Sequence, residues 1–147
     1  MKYLSLIVSL ALTTMVFSFS AATGDESASL SLTIAQAVAE VLHRIVPTVP
    51  IDLDSLHLFI RKLAHMSEYF LIGISYAVTF HLFKWKGWIL FLAGVMLAFA
   101  DEGSQFFAEG RGPSVFDALI FDIPGFVFGA LGCRYIIQKK LSKLNVS

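Results

Sequence analysis

The sequence predicts an all-α, polytopic membrane protein. Four transmembrane helices are expected at about residues 3–20, 55–83, 87–107 and 114–137, with a short interfacial amphipathic helix after the first. Two observations carry this. The 147 residues are 56% hydrophobic with a mean hydropathy of +0.74, more apolar surface than a soluble domain of this length could bury. The apolar residues also fall into four stretches of spanning length. A third observation concerns function. The segment Asp101–Asp117, DEGSQFFAEGRGPSVFD, sets two adjacent carboxylates inside an otherwise apolar run. Ionisable groups are expensive in hydrocarbon and by default mark a functional site.

The elements follow in order. Tyr3–Phe19 is apolar behind Met1 and Lys2 and resembles a signal peptide, with Ser18 and Ser20 ahead of Ala21. It is read as an uncleaved first helix, because the rest of the chain is itself a membrane bundle. Ala21–Ser31, rich in Ser, Ala and Thr, reads as a loop, with Ser31 or Thr33 capping a short helix from Ile34 to Ile45. Ile34, Val38, Val41 and Ile45 recur at helical spacing, which suits the membrane interface. Packing of that stripe on the bundle would explain the pattern equally well. Pro47 and Pro50 end the helix.

Asp54 or Ser55 can cap the next helix, where Arg61, His65, Glu68, Ile72, Ser75 and Thr79 form one stripe at about 100° per residue. Lys84, Trp85, Lys86 and Trp88 make a basic, aromatic turn of the kind that anchors at an interface. In the third helix Gly94, Ala98, Asp101 and Gln105 share a face. In the fourth, Gly125 and Gly129 form a GxxxG pair with Gly132 nearby, again suited to close helix packing. Lys139, Lys140 and Lys143 follow.

Positive charge sets orientation. Lys2, the Lys84/Lys86 turn and the lysine tail lie at alternate helix ends, so both termini are expected in the cytoplasm and the protein in the cytoplasmic (inner) membrane. Arg44, Arg61, Lys62 and Arg111 run against this, but acidic residues lie near them. A polar layer of Arg61, Lys62, His65, Glu68, Asp101, Glu102, Gln105, Arg111, Ser114 and Asp117 then faces outward. Asp101 sits roughly 9 Å inside its span at 1.5 Å per residue, so the layer is a sunken pocket.

Composition also excludes classes. Zero formal net charge and no long basic run argue against nucleic acid. Cys133 is the only cysteine, which rules out an internal disulfide and a Cys-rich metal site. No GxSxG elbow, HExxH or P-loop is present. There is one domain, with no room for a soluble catalytic module, and no cofactor or metal is expected.

The segments RKLAHMSEYFLIG (Arg61–Gly73) and DEGSQFFAEGRGPSVFD resemble the VanZ-like family of bacterial membrane proteins. That family shows R-K-x-x-H-x-x-E-Y, then D-E-x-x-Q, then a G-R loop leading to an Asp and a glycine-bearing helix. The FSFS stretch at Phe17–Ser20 resembles the end of its first helix. The resemblance implies an uncleaved first helix and a link to resistance against the glycopeptide teicoplanin. One departure concerns helix four. The family's second polar residue is expected four positions after the Asp, but Asp122 is five after Asp117. Four residues keep a side chain within about 40° of one face, whereas five move it about 140° away. A bulge near Pro124, which frees the Ile120 carbonyl, would restore the face.

Three readings of the polar layer stay open. It binds a headgroup of a membrane lipid, a lipid-linked cell-wall precursor or a glycopeptide, through Arg61, Lys62, His65, Glu68, Tyr69, Asp101, Glu102, Gln105, Arg111, Ser114 and Asp117. It is an intramembrane enzyme, with His65, Glu68, Asp101, Glu102 and Asp117 as candidate acids and bases. Or its charges only lock the helices together. Among single residues, Tyr69 reads as an interfacial anchor, Ser114 as a helix cap and Cys133 as packing.

Overall fold

The computed structural model describes residues 1–22 and 24–144, the side chains of Glu26, Ser27 and Leu144 excepted. All regular structure among them is helical. The elements are α1 (Lys2–Ser20), α2 (Gly24–Ile45), α3 (Leu53–Phe83) and α4 (Gly87–Ser104), the last tightening into a 3₁₀ turn at Gln105–Phe107. The last helix, α5, starts as Val115–Asp117, widens into a π turn at Ala118–Asp122 and continues as Ile123–Leu144.

Three helices, Lys2–Ser20, Gly87–Phe107 and Val115–Lys143, are long and apolar enough to cross a membrane. The second expected span, α3, is not among them. It is long, at 31 residues, but Arg61, Lys62, His65 and Glu68 interrupt its first half. Its cap also differs from expectation. Asp52, in extended conformation, accepts from the Asp54 amide and from the Ser55 hydroxyl, so the helix starts earlier than a cap at Asp54 or Ser55 would allow.

The expected loop Ala21–Ser31 is instead mostly helix, because α2 starts at Gly24. The cause is tertiary. The Gly24 amide donates to the Glu109 carbonyl at 2.9 Å, and a Cβ at Gly24 would run into the Gly110 carbonyl. Such contacts outweigh the indifferent helix propensity of a Ser-rich run. Ser31 is therefore not a cap. It lies buried in mid-helix and bonds His57 Nε2 at 2.8 Å, fixing α2 to α3. The stripe Ile34, Val38, Val41 and Ile45 is exposed, while Ser31 and Ala35 turn inward. Packing of that stripe on the bundle is thus not observed.

The core lies where α3 meets α5, with α1 and α4 against them. Val16, Tyr69, Ile72, Leu90, Ala98, Phe126 and Ala130 are among its fully buried residues. Helix approach is set by glycine. A Cβ at Gly73 would meet the Phe126 carbonyl, at Gly125 the Met66 carbonyl, and at Gly129 the Phe70 carbonyl. Gly94 makes room for the Phe126 ring. This is the small-residue packing expected of membrane helices. Gly132 is the exception to expectation, for nothing lies within 4 Å of its Cβ position. Ser9 with Thr79 (3.0 Å) and Thr13 with Tyr76 (3.2 Å) add polar links between α1 and α3.

Candidate functional site

The π turn decides where Asp122 lies. The Ile123 amide donates to the Ala118 carbonyl, five residues back instead of four. Pro124 has no amide to keep the ordinary ladder intact. The extra residue is absorbed, and Asp122 ends up fully buried, with neither carboxylate oxygen hydrogen-bonded among the described residues. The expected bulge is therefore present.

The start of α3, the end of α4, the start of α5 and the end of α1 meet at one end of the bundle. There the predicted polar residues divide into two groups. One group is engaged within the protein. Lys62 pairs with Asp117, both about a third exposed. Glu102 accepts the Ser114 amide at 2.7 Å and the Gln105 side-chain amide at 3.3 Å. Ser114 accepts the Asp117 amide at 3.3 Å, so it is the expected cap. Asp101 accepts the Ser20 hydroxyl at 2.9 Å. Arg111, in the loop after α4, reaches the Phe19 carbonyl at 2.9 Å and the Ala22 carbonyl at 3.3 Å. These bonds fasten the α4–α5 loop over the end of α1.

The other group is not consumed by the fold. Arg61 and Glu68 have no hydrogen-bond or ion-pair partner among the described residues, and His65 Nδ1 is buried without one. With Arg111, whose Nη1 is also buried with no hydrogen-bond partner among the described residues, these three line a cleft of about 230 Å³. Apart from Ser31, its remaining wall is apolar and includes Phe19, Leu30, Ile34 and Ile60. Burial, and then the nearby Arg61 charge, lower the Arg111 pKa from its ordinary value. A second cleft, about 170 Å³, is lined by Arg61, Lys62 and His65 of α3 together with Glu102, Gln105 and Asp117.

A family model, VanZ/LLP1, matches residues 4–138, nearly the whole chain. The chain belongs to the VanZ/LLP1 family. No curated protein and no solved structure gives a match. Within this VanZ/LLP1 fold a further sequence expectation fails. Tyr69 is not an interfacial anchor but fully buried, its hydroxyl donating to the Leu97 carbonyl at 3.2 Å. Aromatic spacing near a helix start gave no sign of this, because α3 begins well before the apolar layer. Ser20 was also missed as a partner of Asp101; a serine ending an apolar helix carries no signal of its own. Among the described residues no group of three or more His, Cys, Asp or Glu is placed to hold a metal ion.

Proposed function

We propose that the cleft between α2 and α3 binds the headgroup of a cell-envelope amphiphile, a lipid or a lipid-linked wall precursor, and through it lowers glycopeptide susceptibility. The carrying observation is that Arg61 and Arg111, from different elements, line one cleft whose other wall is apolar. Guanidinium groups recognise phosphate or carboxylate by paired hydrogen bonds. Glu68 accepts from hydroxyls or amines of the same headgroup. The apolar wall takes the chain. Membership of the VanZ/LLP1 family supports the envelope role.

In this reading four helices span the cytoplasmic membrane. The α2 helix lies in the interface, which its exposed Ile34, Val38, Val41 and Ile45 support. Both termini are cytoplasmic and the cleft faces out. In a Cys133→Ala background, a cysteine at Glu109 is then labelled by a membrane-impermeant thiol reagent in intact cells, and one at Lys140 is not. Reversed labelling sinks the topology.

The binding reading is tested by native mass spectrometry of protein extracted in mild detergent. Wild type should carry a phosphate- or carboxylate-bearing amphiphile, and Arg61→Gln should lose it at least tenfold, about 1.4 kcal/mol. Retention by Arg61→Gln and Glu68→Gln alike rejects the cleft as the site.

A further inference from the structure

The opposite end of the bundle has a charge imbalance that the cleft does not use. Lys2, Lys84, Lys86, Arg134, Lys139, Lys140 and Lys143 belong to it, while residues 1–24, 69–100 and 123–147 contain no Asp or Glu. The ends are brought together by contact. Lys2 sits over the Phe83 ring at 5.6 Å, Phe83 and Trp85 pack at 4.9 Å, and the Arg134 guanidinium occupies the space where Gly87 has no side chain. Arg134 is half-buried and has no hydrogen-bond or ion-pair partner among the described residues; nor do the side chains of His81 and Lys84.

Two hollows share Arg134 and Gln138. One, about 320 Å³, is lined by His81 and Lys84 over Leu90 and Phe80. The other is a groove between α4 and α5 lined by Trp88, Phe91, Leu131 and Tyr135, of which Trp88, Leu131 and Tyr135 are exposed. A basic hollow thus adjoins an apolar, aromatic groove between two helices, with Arg134 and Gln138 lining both.

We propose that this end binds an anionic phospholipid, with its phosphate held by Arg134 and Lys84 and an acyl chain lying along Trp88 and Leu131. Like charges held together without a carboxylate need a counter-ion, and Arg offers a phosphate two parallel hydrogen bonds. Basic pockets between membrane helices on the cytoplasmic side suit such headgroups, and the anionic leaflet supplies them. Gly87 is part of the site because any side chain there would displace the guanidinium. A free phosphate would satisfy the cations but leave the groove unused, so the amphiphile is the better match.

The test uses the full chain, reconstituted in vesicles of equal parts phosphatidylcholine and phosphatidylglycerol and released for native mass spectrometry. Wild type should retain phosphatidylglycerol over phosphatidylcholine by about tenfold or more. Arg134→Gln should bring the ratio near one, while Arg134→Lys, which keeps the charge, retains part of the preference. Lys84→Asn should reduce it as well. Lys84 has a left-handed backbone (φ 58°), which asparagine tolerates, so this variant removes the charge without straining the turn. Arg61→Gln, at the far end, should leave the ratio unchanged, which separates this site from the proposed headgroup cleft. An unchanged ratio in Arg134→Gln and Lys84→Asn overturns the site. So does its loss in Arg61→Gln, or displacement of the lipid by excess inorganic phosphate.

Discussion

Gly129→Ala should destabilise the bundle by about 1–3 kcal/mol, whereas Gly132→Ala, three residues on, should stabilise it by roughly 0.5–1 kcal/mol. The two substitutions are chemically identical and lie on the same helix. At Gly129 the new methyl overlaps the Phe70 carbonyl of α3, so α3 and α5 must separate, and backbone cannot step aside as a flexible side chain can. At Gly132 the methyl meets nothing within 4 Å, so only the lower backbone entropy of the unfolded chain counts. Thermal unfolding of both variants in mild detergent measures the difference. Equal melting temperatures would mean that α3 and α5 do not approach as closely as their glycines permit.

Glu68→Gln should abolish the envelope phenotype, a glycopeptide susceptibility change of tenfold or more, while membrane abundance and melting temperature stay near wild type. Glu68 has no partner among the described residues, so neutralising it breaks no internal bond. The amide keeps its shape and loses only the charge. Asp101→Asn should behave similarly in stability, because an amide oxygen can still accept from Ser20. Lys62→Met breaks the pair with Asp117, but at about a third exposure that pair is worth only about 0–1 kcal/mol. Activity that falls only in step with stability across these variants would mean the polar layer merely holds the helices. Activity that survives every neutralisation would reject the site.

The hydropathy pattern by itself determined the helices. Their apolar runs are long, and lysines, prolines and the Trp85 turn bound them, so the expected helix limits lie close to those of α1, α3 and α4, while α5 runs on past the expected end to Leu144 and α3 is not apolar enough to count as a span. It also determined that Arg61, His65, Glu68, Asp101, Glu102, Arg111 and Asp117 gather at one end, because helix direction alternates and each residue sits near a terminus. The bulge was legible only through Pro124, which removes an amide, together with the family resemblance, against which Asp122 lies one residue too far from Asp117. Only the tertiary structure decided what those residues do to one another. Nothing in the spacing says that Glu102 is taken by the Ser114 amide while Glu68 is left without a partner, or that Arg111 is spent partly on the carbonyls of Phe19 and Ala22. Nor does it say that a Ser-rich stretch becomes the first turns of α2 through contact with Glu109 and Gly110. The reason is physical. Periodicity records which side of a helix avoids lipid, a property of the segment alone. Which buried polar group finds which partner depends on elements far apart in the chain, 81 residues for Ser20 and Asp101.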